Sequence, residues 1–177
     1  MLRCGPMKSL VVAAVLLAGS SAHAGGYIGL GIGDGQGVSG DVPLHANGRT
    51  ERLIGGFSFG KLAVEGSVAR APLYQDGGRD YTATQLAVLG KYSLPLSDGF
   101  EAYGRLGLQR LSLDGGDPNA NADGTGAIGG GGIEYRSKLP VSFWLDYTLS
   151  NASVNGPSFH DLSVTTRQWM IGASLGI

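Results

Sequence analysis

The run Gly124–Ser150, GTGAIGGGGIEYRSKLPVSFWLDYTLS, carries the decisive pattern. In its second arm Val141, Phe143, Leu145, Tyr147 and Leu149 share one face, while Ser142, Trp144, Asp146, Thr148 and Ser150 share the other. That period of two belongs to an extended strand with unlike sides. The first arm sets Gly131, Ile133 and Tyr135 against Gly130, Gly132, Glu134 and Arg136, and Ser137–Lys138–Leu139–Pro140 supplies a short turn between the arms. The stretch reads as a β-hairpin with one greasy and one largely polar face. A water-soluble sandwich would bury the greasy face; a membrane barrel would turn it to lipid and enclose the polar one.

The rest of the chain chooses between these. Eight alternating segments run from Gly25 to Ile177, and no helical period competes with them. Before the hairpin they are Gly25–Gly35, Thr50–Gly60, Lys61–Ala71, Tyr81–Pro95 and Phe100–Leu113, and after it Leu162–Ile177. The fifth segment slips out of phase near Arg110 and Leu111, where a bulge is expected. Gly60–Lys61, Leu96–Gly99 and Ser137–Pro140 are short connections, whereas Asp34–Arg49, Pro72–Asp80, Asp114–Asp123 and Asn151–Asp161 are long and polar. Short and long connections taking turns around strands of about ten residues describe an up-and-down barrel that crosses a bilayer. The expected fold is therefore all-β, an eight-stranded antiparallel transmembrane β-barrel. Tyr92, Phe100 and Tyr135 fall on its apolar face near the short turns and Trp169 toward the other end, as interface aromatics would.

The first 24 residues read as an export signal. Lys8 precedes the apolar run Leu10–Leu17, which is too short to span a bilayer, and Ala22–His23–Ala24 offers a small-x-small cleavage site. Gly25–Ile177 is then the mature domain, and Met7 is an alternative start. Cys4 is the chain's one cysteine, so the mature part has no thiol for disulfides, nucleophilic catalysis or metal binding. Without Arg3 and Lys8 the 13 basic residues fall to 11 against 14 acidic ones, a balance unsuited to nucleic acid. The 32 glycines follow no collagen period and lie mostly inside the alternating segments, where they relieve crowding at bends.

The runs GGFSFGKLAVEGSV (Gly55–Val68), YGRLGLQRLSL (Tyr103–Leu113), GGGIEYRSKLPVSFWLDYTLS (Gly130–Ser150) and IGASLGI (Ile171–Ile177) resemble the small eight-stranded outer-membrane barrels of the OmpA transmembrane-domain and OmpX/Ail type. The resemblance covers the mature chain, departing at Ile177, where the group usually carries an aromatic residue. It implies a monomer in the outer membrane of a Gram-negative bacterium, surrounded by lipid and lipopolysaccharide and inserted by the outer-membrane assembly machinery. Four extracellular loops would be free for an external ligand.

The polar faces gather Glu65, Lys91, Glu101, Arg105, Glu134, Arg136 and Asp146, charges that are costly inside a barrel unless paired. In the resembled group such residues interlock as a structural network that plugs the lumen, and an eight-stranded barrel is only just wide enough to hold its side chains. The expected function is noncatalytic. The alternative is a lipid A-modifying esterase: Thr148-Leu149-Ser150-Asn151 is similar to the His-x-Ser-Asn run of lipid A deacylase barrels, but Thr148 stands where the histidine should be, leaving Ser150 without a general base unless His160 serves. Asn119, Asn121, Asp123 and Gly124 hint at a calcium loop, yet the position of the bidentate glutamate is Gly130. His45 and His160 stand apart from any metal-ligand spacing, so neither metal nor cofactor is expected.

Overall fold

The computed structural model describes residues 24–34, 37–40, 44–46, 48–75, 79–116, 121–156 and 159–177. Residues 1–23 of the export-signal reading lie outside these, as do Asn119 and the side chains of His45 and His160. Ten strands account for nearly all of the described chain: β1 (Ala24–Gly33), β2 (Gly37–Gly40), β3 (Leu44–Ala46), β4 (Thr50–Phe59), β5 (Leu62–Gln75), β6 (Arg79–Ser97), β7 (Phe100–Asp114), β8 (Ala122–Arg136), β9 (Val141–Gly156) and β10 (Phe159–Gly176). Eight of them pair antiparallel with their sequence neighbours, and β1 closes the ring against β10 through Tyr27↔Gly176 to Gly33↔Met170. Closure leaves no long sheet edge, which is the condition for a β-structure to cross lipid. The two short strands belong to the first long connection: β2 lies along β10 and β3 along β5.

The turns form where local chemistry requires them. Asp98 and Gly99 both have positive φ, 44° and 88°, the conformation of a two-residue hairpin turn that Asp-Gly adopts readily. The expected bulge at Arg110–Leu111 is absent. Register runs unbroken there against both neighbours, and the irregularity in this hairpin lies instead between Pro95 and Ser97.

What looked like a slip at Arg110 is a reversal of the wall's polarity. On every barrel strand the outward side chains change from apolar to polar at one level: Ile32 to Asp34, Leu53 to Glu51, Val68 to Arg70, Leu86 to Thr84, Leu108 to Arg110, Ala127 to Thr125, Leu149 to Asn151 and Trp169 to Arg167. The inward set changes oppositely. Leu73, Tyr81, Leu111, Leu113, Val154 and Val164 meet in a buried apolar cluster toward the long-loop end. Below that level the barrel is greasy outside and polar inside; above it the same strands continue with the faces of a water-soluble barrel. The long connections are accordingly shorter than the sequence suggests. Pro72–Gln75 and Asn151–Gly156, which read as loop, are wall, because polar residues facing water look like loop when only the membrane half of the pattern is sought.

The apolar band is about as tall as a bilayer core. Phe100–Leu108 and Val141–Leu149 each cover about 30 Å of strand, a little over 20 Å of height at the usual barrel tilt. Leu30, Val64, Leu106, Phe143 and Leu145 are exposed on it. Aromatic pairs mark its margins: Phe100 and Tyr135 lie 4.9 Å apart near the short turns, and Tyr147 and Trp169 lie 4.8 Å apart. Glycine makes room for the Trp144 indole inside the barrel, since a Cβ at Gly31 or Gly172 would overlap it.

Candidate functional site

The lumen is built in layers by alternate residues of β4 to β10. Nearest the short turns, charged side chains from six strands form a chain in which sign alternates. Arg52 on β4 reaches Asp146 on β9, with Nη1 3.4 Å from both carboxylate oxygens. Asp146 pairs with Arg105 of β7. Arg105 Nη1 lies 3.6 Å from Glu65 of β5, and Glu65 lies 3.6 Å from Lys91 of β6. Lys91 Nζ donates to Glu134 of β8 at 2.7 Å, and Glu134 is 3.6 Å from Arg136, which lies 3.0 Å from Glu101. Four cations and four anions thus balance along one path.

Neutral groups complete the coordination of this chain. The Tyr27 hydroxyl donates to Glu65 at 2.5 Å and the Tyr103 hydroxyl to Asp146 at 3.4 Å. Thr148 donates to Asp146 at 3.1 Å and accepts from Arg105 at 2.8 Å. Lys91 Nζ also sits 4.3 Å from the Tyr103 ring centroid, a cation–π contact. Such multiple partners are what buried charge demands. Among the described residues Glu65 Oε2, Arg105 Nε and Trp144 Nε1 find no hydrogen-bond partner; they are groups of the kind internal water satisfies.

All seven charged residues singled out in the sequence are on this path, though not in equal settings. Five are buried, whereas Arg136 is 48% exposed and Glu101 17%, at the rim by the short turns. Arg52, 3% exposed, joins the seven as an eighth member. Two signals pointed to it: it is in phase with Ile54 and Gly56 behind Leu53, and the seven residues alone are four acids against three bases.

Above the charges lies a layer of amides and hydroxyls. Gln85 donates to Gln109 and, at 3.3 Å, to Ser150; Ser150 and Thr166 share a 2.6 Å hydrogen bond. Ser150 is therefore a buried lumen residue, while Asn151 faces outward and donates to Thr165 at 3.0 Å. The two are not brought together as a site. The apolar cluster on Leu73, Leu111 and Val154 then covers this layer. Among the described residues no group of His, Cys, Asp and Glu could hold a metal.

The comparisons agree with this architecture. The family model for the outer membrane protein beta-barrel domain matches residues 9–175. No curated protein sequence matches the chain. Among solved structures, Neisserial surface protein A superposes with a TM-score of 0.66 at 15% identity, covering 87% of this chain and 99% of its own. Ail of Yersinia pestis gives 0.56 at 20%, covering 88% and 100%, and OprG of Pseudomonas aeruginosa 0.55 at 17%, covering 90% and 98%. At these identities the structures speak to fold alone. With the ring, the lipid-facing band and the family match on the same residues, the chain belongs to the outer membrane protein beta-barrel domain family and is a small eight-stranded barrel of the Gram-negative outer membrane.

Proposed function

We propose that this is a noncatalytic surface barrel whose lumen is closed and whose outward end, the strand collar above the lipid band with its four loops, meets the cell's surroundings. In this reading residues 1–24 are the export signal, the short turns face the periplasm, and the mature chain is inserted as a monomer by the outer-membrane assembly machinery. The observation that carries it is the layered interior. An ion crossing from outside would have to pass the Leu73–Leu111–Val154 cluster, whose members are at most a few per cent exposed, before reaching charges that are already neutralised by one another. Planar-bilayer recordings are the test: no stable conductance is expected, and a steady porin-like current would overturn the closed-lumen reading.

The esterase alternative finds little support. Ser150 points into the lumen against Gln85 and Thr166, away from any acyl chain, and Thr148 is occupied by Asp146 and two arginines. Lipid A extracted from cells with and without the protein is expected to carry the same acyl chains. Loss of a chain that depends on Ser150 would reverse the ranking.

The outward ligand differs in chemistry from that of one structural neighbour. Ail has been solved with the heparin analogue sucrose octasulfate. Here the long-loop half has nine acidic residues, five arginines and no lysine, a balance that repels a sulfated polymer.

A further inference from the structure

The lipid-facing wall is furrowed on one side, at the strands that close the ring. Phe100, Tyr135, Phe143, Ala173 and Leu30 stand side by side in one ladder row across β7, β8, β9, β10 and β1. Ala173 is the small member of that row and leaves a gap between Phe143 and Leu30, both exposed to lipid. The groove there has a volume of about 700 Å³ and is lined by these apolar side chains. Phe100 opens β7 at a short turn, whereas Leu30 lies well inside β1, so the row rises into the bilayer. Four interstrand spacings make it about 19 Å long, and at a strand tilt of about 45° it climbs about 13 Å. That height is close to the hydrocarbon depth of one leaflet, about half of a 30 Å core. The furrow fits one acyl chain entering from the short-turn margin.

Two turns meet at its mouth. The Arg136 backbone N–H donates to the Gly99 carbonyl at 2.8 Å, which ties the β6–β7 turn to the start of the β8–β9 turn. Asp98 lies on one side of this bond and Lys138 on the other. Both are exposed, and neither is in an ion pair among the described residues. The other charges of this part of the rim, Glu101 and Arg136, are paired with each other at 3.0 Å. The Tyr135 ring lies against Gly99 and packs on Phe100, so a phenol marks the passage from turn to furrow. The mouth therefore offers one free carboxylate and one free ammonium above an apolar groove. A phospholipid that carries both a phosphate and a primary ammonium is its complement: lysine takes the phosphate, and the lipid ammonium donates to the carboxylate. Phosphatidylglycerol lacks the cation, and the choline of phosphatidylcholine has no N–H to donate.

We propose that the furrow at Ala173 and the two joined turns form a site for one phosphatidylethanolamine, its acyl chain in the gap between Phe143 and Leu30 and its headgroup between Asp98 and Lys138. The site belongs to the leaflet on the short-turn side whichever way the barrel faces, so it stands apart from the closed-lumen reading.

The test offers the full mature chain, refolded in detergent, equal amounts of phosphatidylethanolamine, phosphatidylglycerol and phosphatidylcholine, with bound lipid read by native mass spectrometry. One phosphatidylethanolamine is expected to stay bound at about 3–5 times the occupancy of either competitor. D98N should bring it down to the phosphatidylcholine level, and K138Q and A173F, which fills the furrow, should each at least halve its occupancy. K61Q, at the other exposed turn lysine, and V88F, on the opposite wall, should match the parent. If A173F does not fold, A173L must show the loss in its place. Equal occupancy of the three lipids, or an unchanged preference in D98N or K138Q, overturns the headgroup assignment. Parent-like retention when position 173 is enlarged, or an equal loss in V88F, overturns the furrow.

Discussion

Asp146→Ala is expected to destabilise the barrel by about 3–5 kcal/mol, measured as a shift in urea-unfolding free energy in detergent or vesicles. Asp146 is fully buried and is shared by two arginines, Arg52 and Arg105. Removing it strands both guanidinium groups in a site where only Thr148, Gln168 and the distant Glu65 remain as acceptors. The cost comes less from lost attraction than from charge left buried without a counterion. Asp146→Asn should fall between alanine and the parent, since an amide keeps one acceptor but no charge. Glu101→Gln provides the contrast at the rim: its partner Arg136 is half exposed, so the change should cost under about 1 kcal/mol. An Asp146→Ala protein within about 1 kcal/mol of the parent would show that the alternating chain does not hold the lumen together.

Leu106→Arg should cost about 2–4 kcal/mol, while Ser112→Arg on the same face of the same strand should cost about 0–1. Leu106 is 71% exposed in the middle of the apolar band, where an arginine must either desolvate or thin the bilayer. Six residues on, Ser112 lies beyond Arg110, on wall that faces water and headgroups. The pair tests where the boundary falls, independently of whether the barrel forms. Equal costs at both positions would place the polarity reversal elsewhere on β7.

The two faces of each crossing were legible from residues alone. Lipid outside and a polar lumen inside impose a period of two on every strand, so Val64, Leu106 and Phe143 could be placed outward, and Glu65, Arg105 and Trp144 inward, without knowing which strands meet. The same holds for the short turns, because Asp98–Gly99 and Gly60–Lys61 act through their own backbone preferences.

Three-dimensional closure decided the rest. Arg52 and Asp146 are 94 residues apart and sit on strands that are not hydrogen-bonded neighbours; phase marks Arg52 as an inward cation, but only the curvature of the ring makes it the partner of Asp146 across the lumen. The collar was hidden for a related reason. Where lipid ends on a tilted strand is set by the whole barrel, and past that level the outward face must be polar and the inward face apolar, which inverts the signal that identifies the strand below. Leu111 and Leu113 therefore looked out of phase at Arg110, although the backbone register never changes. Periodicity, a property of neighbouring residues, was written in the chain; the level of the membrane boundary and the partners across the lumen are properties of the closed barrel.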